Sequence, residues 1–257
     1  MRRFPIPFLI TAWLLGPVAG FAQSAQHEDV EVIETAPPRN PDEKKPDLAA
    51  VTKAIVEQTN AFRKSEKRPE VAINAKLVDA ARGFAEYMAK TGRYGHTADG
   101  SNPGERAAKE KYEYCIVLEN IAYAFRSEGF TSEELTKTFV EGWQKSPGHR
   151  KNMLDPDVTE TGVAVARSEK TGHYFAVQMF GRPKSQAIKF QLANRTEKEV
   201  SYKVGDKEFK LPAQYVRTHE LCRPAEMTFG EAEAVKPETG SRFAVVEEGG
   251  KVRVKKE

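Results

Sequence analysis

Few residues of this 257-residue chain stand out for chemistry: two cysteines, Cys115 and Cys222, five histidines, and Ser146, three residues before His149. Two thiols in an oxidising compartment can pair, and this pair would close a loop of more than a hundred residues, a cross-link worth roughly 4–5 kcal/mol in the chain-entropy model. Two separate buried thiols are the alternative, because pairing depends on a proximity that sequence does not carry. A neutral imidazole is both a general base and a metal ligand. His96 follows a helix end and His149 sits in a Pro-Gly-His turn after another helix, whereas His27, His173 and His219 belong to no motif. Ser146, followed by Pro147 and Gly148, either ends that second helix or, beside a histidine base, serves as a nucleophile. It lacks the Gly-x-Ser-x-Gly setting of a nucleophile elbow.

The elements that must position these side chains are readable from apolar spacing. Asp47 is a good N-cap for a helix carrying Leu48, Val51, Ile55 and Phe62 to about Lys67, and Pro69 ends it. Asn74 opens a second helix with Leu77, Ala80, Ala81, Phe84 and Met88 on one face, closed by Gly92 or Gly95. Pro103 starts a short helix through Arg106 and Lys109. The apolar run Cys115 to Ala124 reads as a strand or a loop. Thr131-Ser-Glu-Glu134 is a capping box for a helix bearing Leu135, Phe139 and Trp143. Gly162–Ala166 and Tyr174–Phe180 then alternate as a β-hairpin. Beyond a boundary at Pro183-Lys-Ser185, period-two runs at 188–192, 200–204, 209–211, 243–246 and 252–254 predict a small all-β module over 185–257. Helices followed by antiparallel strands place the chain in the α+β class.

Forty Lys and Arg stand against 37 Asp and Glu, a formal charge of +3. That balance supplies no basic stripe for a phosphate backbone, so nucleic acid is not an expected partner. Arg2 and Arg3 precede an uncharged apolar stretch to about Ala22, with Gly20 and Ala22 at the −3 and −1 positions of a cleavage site. Residues 1–22 therefore read as a secretory signal peptide, and export to a periplasm or the cell exterior follows. An uncleaved anchor is the alternative, opposed by Pro5, Pro7, Gly16, Pro17 and Gly20 within the run. No other segment is apolar enough to span a bilayer. Residues 23–47, polar and proline-rich, read as a flexible tether.

Several segments taken in order carry a resemblance: Gly95-His96-Thr97, Asp99-Gly100, Glu105-Arg106, Glu119-Asn120-Ile121-Ala122, Trp143 through Ser146-Pro147-Gly148-His149-Arg150-Lys151-Asn152, Gly162–Val165 and Phe175–Gly181. This set resembles the CAP superfamily of cysteine-rich secretory, venom-antigen and pathogenesis-related proteins, especially its bacterial SCP-like branch. The resemblance covers about 48–184. It implies an α-β-α sandwich with helices on both faces of an antiparallel sheet, in an exported protein. Neither the tether nor the C-terminal module belongs to the pattern.

By the same resemblance, His96, Glu119 and His149 line a central cleft. The family's fourth position, a glutamate three residues after the helix tryptophan, is Ser146 here, and Leu118 replaces the glycine usual before Glu-Asn. Two facing imidazoles, His96 and His149, suit a divalent cation such as Zn²⁺, with Glu119 beside them; two histidines alone bind weakly. A hydrogen-bonded polar cluster that orders the loops is the plain reading of the same residues. A hydrolase would use Ser146 as nucleophile, His149 or His96 as base and Glu119 as the orienting acid. Lipid or sterol capture, reported for some members, would draw on apolar side chains from Tyr112 to Phe125. The expectation is a binding or interaction module whose partner is a small ligand, a lipid or a cell-surface component. Trp143 is expected to anchor the core, Asn120 and Asn152 to satisfy backbone groups, and Arg106 and Arg150 to pair with carboxylates or lie exposed.

Overall fold

The computed structural model describes residues 30–34, 40, 42–230 and 234–257. The signal peptide expected at 1–22 and, from the expected tether, residues 23–29, 35–39 and 41 lie outside them. In chain order the first part comprises β1 (Glu31–Val32), α1 (Leu48–Ser65), β2 (Ala72–Ile73), α2 (Ala75–Thr91), β3 (Arg93–Tyr94), α3 (Pro103–Lys109), β4 (Tyr114–Ala124), α4 (Ser132–Lys145), α5 (Pro147–Met153), β5 (Glu160–Arg167) and β6 (Tyr174–Pro183). After a 3-10 turn at Lys184–Gln186 come β7 (Ile188–Asn194), β8 (Val200–Val204), β9 (Lys207–Leu211), β10 (Val216–Leu221), β11 (Met227–Thr228), β12 (Arg242–Glu248) and β13 (Lys251–Lys256).

The helices start where side chains take up the free N–H groups of a first turn. Asp47 accepts from Ala49 and Ala50, and Asn74 accepts from Lys76. Full capping boxes at Asn102/Glu105 and Thr131/Glu134 open α3 and α4. Strands β2-β5-β6-β4 form one sheet, in that order, and strand alternation sorts its side chains between two layers. Tyr174, Ala176 and Phe180 of β6 pack under α1, α4 and α5, with Val51, Ile55, Phe139 and Trp143. Phe175, Val177 and Met179 pack under α2 and α3, with Leu77, Phe84 and Met88. Burial of each such large side chain stabilises by about 1.5–3 kcal/mol. The result is an α-β-α sandwich of the α+β class.

The second part is a two-sheet β-module. Sheets β10-β7-β12-β13 and β11-β8-β9 enclose Phe190, Leu192, Tyr202, Val204, Leu211, Phe243 and Val245. A disulfide joins Cys115, in β4, to Cys222, just past β10, with Cα atoms 5.0 Å apart and a sequence separation of 107 residues. Beside it Arg223 donates to Asp155 and Asp157 at 2.7–3.0 Å.

Three expectations change. The run at Cys115–Ala124, open between strand and loop, belongs to the eleven-residue strand β4. His149 lies inside a short helix, α5, because Pro147 ends α4 only to occupy the first position of the next. The tether is in part docked. Residues 31–32 pair with β3, Ile33 is buried against α2, Lys44 bridges to Gly129, and Glu43 holds Arg167 at 2.7 Å. These partners lie up to 124 residues away, so local composition carries no trace of them.

Candidate functional site

β4 is the outer strand of its sheet, and the candidate residues gather along its open edge from both helical layers. The capping box at Asn102/Glu105 fixes α3, which turns Arg106 inward beneath α2, its guanidinium 3.6 Å from the centroid of Phe84. Arg106 is only 6% exposed and its Nη2 donates to both oxygens of Glu119 at 2.9 and 2.8 Å and to the His96 carbonyl at 2.9 Å. Its Nη1 donates to Asp99 at 2.9 Å and to the Ser101 carbonyl at 2.8 Å. Glu119 has a side chain 1% exposed, and its Oε1 lies 2.8 Å from His96 Nδ1. Paired with a guanidinium, this carboxylate is an acceptor, so His96 Nδ1 is the donor and the imidazole is held in one orientation. His96 itself is a third exposed.

From the other layer, α5 brings His149 to the same edge. Burial lowers the His149 pKa, and nearby His96 lowers it further, so His149 is neutral at pH 7. Strand alternation turns Asn120 to this side, where its Nδ2 donates to the His149 carbonyl at 3.2 Å. Asn152 donates to the Glu119 carbonyl at 3.0 Å. Tyr94 and Trp143 both donate to the Ile121 carbonyl at 3.2 Å. Burial first, then the charges of Tyr123, Glu31 and Glu119, pushes the Tyr94 pKa up to about 12, so it remains a donor. Side chains thus satisfy two outward carbonyls, those of Glu119 and Ile121, at the middle of an edge strand.

A family model for the cysteine-rich secretory protein family, CAP, matches residues 56–180. The chain carries a CAP domain. Among curated relatives it is 29% identical over 136 residues to the uncharacterized protein YkwD of Bacillus subtilis, covering 52% of this chain and 49% of that one. It is 28% identical over 123 residues to the uncharacterized membrane protein YlbC of the same organism, covering 48% and 33%. It therefore spans half or less of these relatives. Among solved structures, an extracellular SCP-domain protein from Bacillus anthracis is 25% identical, with a TM-score of 0.44 over 57% of this chain and 45% of that one. An outer surface protein from Borrelia burgdorferi is 20% identical, with a TM-score of 0.48 over 55% and 99%.

In this CAP domain His96, Glu119 and His149 converge on the β4 edge, but no hydrogen bond joins Ser146 to His149 or Glu119 among the described residues. Ser146 ends α4, its side chain caps nothing at the start of α5, and Glu119 orients His96 and not His149. The serine relay is therefore unassembled. For a cation, no group of three or more His, Cys, Asp or Glu side chains is placed to hold a metal among the described residues. Both oxygens of Glu119 are taken by Arg106. This donor set does not fit a three-ligand centre, and leaves the two imidazoles as the side chains with lone pairs to offer. Of the stretch considered for lipid capture, Tyr112, Ile116, Ile121 and Ala124 are core residues.

Of the two arginines expected to pair with carboxylates or lie exposed, Arg106 pairs with Asp99 and Glu119 and is buried, which its residue type alone did not distinguish. The capping box just before it, which aims the first turn of α3, was the available signal. Arg150 instead pairs with Glu66 at 2.8 Å on the surface.

Proposed function

We propose that the chain is an exported binding module whose CAP cleft presents His96 and His149 to a divalent cation or a small polar ligand, with no catalytic step. The observation that carries this reading is the Asp99–Arg106–Glu119–His96 chain of charge-assisted hydrogen bonds. Such a chain fixes one imidazole against a rigid strand, as second-shell partners of ligating histidines do. His149 held neutral adds a second lone-pair donor. The apolar N-terminus behind Arg2 and Arg3 and the Cys115–Cys222 disulfide support export, and no helix of the described residues is long and apolar enough to cross a membrane.

Calorimetric titration of the full mature chain with Zn²⁺ tests this, alongside the double variant His96→Ala, His149→Ala. Saturable, histidine-dependent uptake is expected, well short of the ~10–16 kcal/mol of structural zinc sites. Uptake unchanged in the double variant, or none at all, overturns the cation reading.

A further inference from the structure

The same molecule treats two edge strands in opposite ways. On β4 the outward carbonyls of Glu119 and Ile121 are covered by Asn152, Tyr94 and Trp143, whereas β13, at the end of β10-β7-β12-β13, has no such cover among the described residues. Its register follows from a two-residue turn at Gly249-Gly250, whose φ values of 60° and 72° suit a type I′ hairpin. Glu257 N–H donates to the Arg242 carbonyl at 2.9 Å. With Phe243 opposite Lys256 and Glu248 opposite Lys251, antiparallel alternation makes 251, 253 and 255 the residues bonded to β12. The N–H and C=O groups of Val252, Val254 and Lys256 therefore point away from the sheet. In agreement, the Val245 carbonyl, opposite Val254, accepts from Arg195 on the far side.

Beside this free edge runs a groove of about 710 Å³ between β13 and residues 234–236. Val235 and Val254 at the groove pack against the module core and Val252 lies exposed. Lys236, Lys251, Arg253 and Lys255 line it against one carboxylate, Glu248, which itself contacts Arg253 and Lys255. Cations on alternate residues of an edge repel a second copy of the same strand. They also favour a strand of the opposite sign.

We propose that β13 is a docking edge for an extended peptide segment of a partner protein carrying acidic side chains at alternate positions. The segment adds as a strand, taking main-chain hydrogen bonds from Val252, Val254 and Lys256. Its apolar side chains enter the groove over Val235 and Val252, and its carboxylates lie along Lys251, Arg253 and Lys255.

The test titrates the full chain with a fluorescent peptide of alternating Glu and Val, read by anisotropy, while amide exchange is followed by NMR. Binding is expected, with new protection at Val252, Val254 and Lys256 and none gained at Arg253, already bonded within the hairpin. The variant Lys251→Glu, Arg253→Glu, altered only at exposed side chains, should bind about tenfold more weakly. A peptide N-methylated at alternate residues should not bind. No binding of the Glu/Val peptide overturns the proposal. So does equal binding of the N-methylated peptide, or full competition by phosphatidylglycerol vesicles, since either makes this a surface for any polyanion.

Discussion

Arg106 and Glu119 are buried charges whose stability depends on each other. Removing one partner of such a pair strands the other, so Arg106→Ala should cost about 3–5 kcal/mol in urea unfolding. The joint replacement Arg106→Met, Glu119→Gln should cost less than the sum of the single changes, a non-additivity that a double-mutant cycle measures directly. The histidines give a pH signature. Burial lowers the folded-state pKa of His149, His173 and His219 below the ordinary 6.5. The unfolded chain then binds protons first, so stability is full above that value and falls as pH drops toward the lowered folded pKa values. Urea midpoints should therefore decline between about pH 7.5 and 5, with a flatter slope in His219→Gln. At this scale the sequence pointed to His96, Glu119 and His149 only through a resemblance spread over ordered motifs, and the structure brings these three side chains near one another at the β4 edge. What the sequence could not show is that Glu119 spends its oxygens on Arg106, since that choice is made by the packing of α3 under α2.

Helices α1 to α4 were the most legible elements, because each carries its own start chemistry at Asp47, Asn74, Asn102 or Thr131, whereas α5, whose Ser146 side chain caps nothing, read as a turn. β4 was less legible, since an apolar run alone does not distinguish a strand from buried loop. Strands β10 and β11 went unread because Val216–Leu221 mixes exposed and buried residues without clean alternation and Met227–Thr228 is only two residues long. The docked segment at 42–46 was illegible for a different reason, its contacts being long-range. Gly129 receives it with φ at +72°, and a Cβ there would collide with the Lys44 carbonyl. Gly129→Ala should therefore strain that turn by about 1–3 kcal/mol and release the segment, seen as faster tryptic cleavage after Lys44 with little change in far-ultraviolet circular dichroism.

At the scale of the whole molecule, the disulfide and the Arg223 clamp make one unit of two cores. Replacing Cys115 and Cys222 by alanine should lower stability by about 2–5 kcal/mol, and calorimetry should resolve separate melting of the sandwich and the β-module where the oxidised protein melts once. The covalent link also has a mechanical meaning. Tension applied between the two ends of the described residues enters at β1 and leaves through β13, and at Cys115 it crosses to Cys222 without passing through the residues between. The 107-residue span holds about 350–390 Å of extended chain that stays hidden until the bond is reduced. The force-bearing path includes α1, α2 and the β12–β13 hairpin, whereas β5 and β6 of the central sheet lie on the shielded side. A pull strong enough to unzip β13 would leave most of the central sheet bearing none of the load along its own strands.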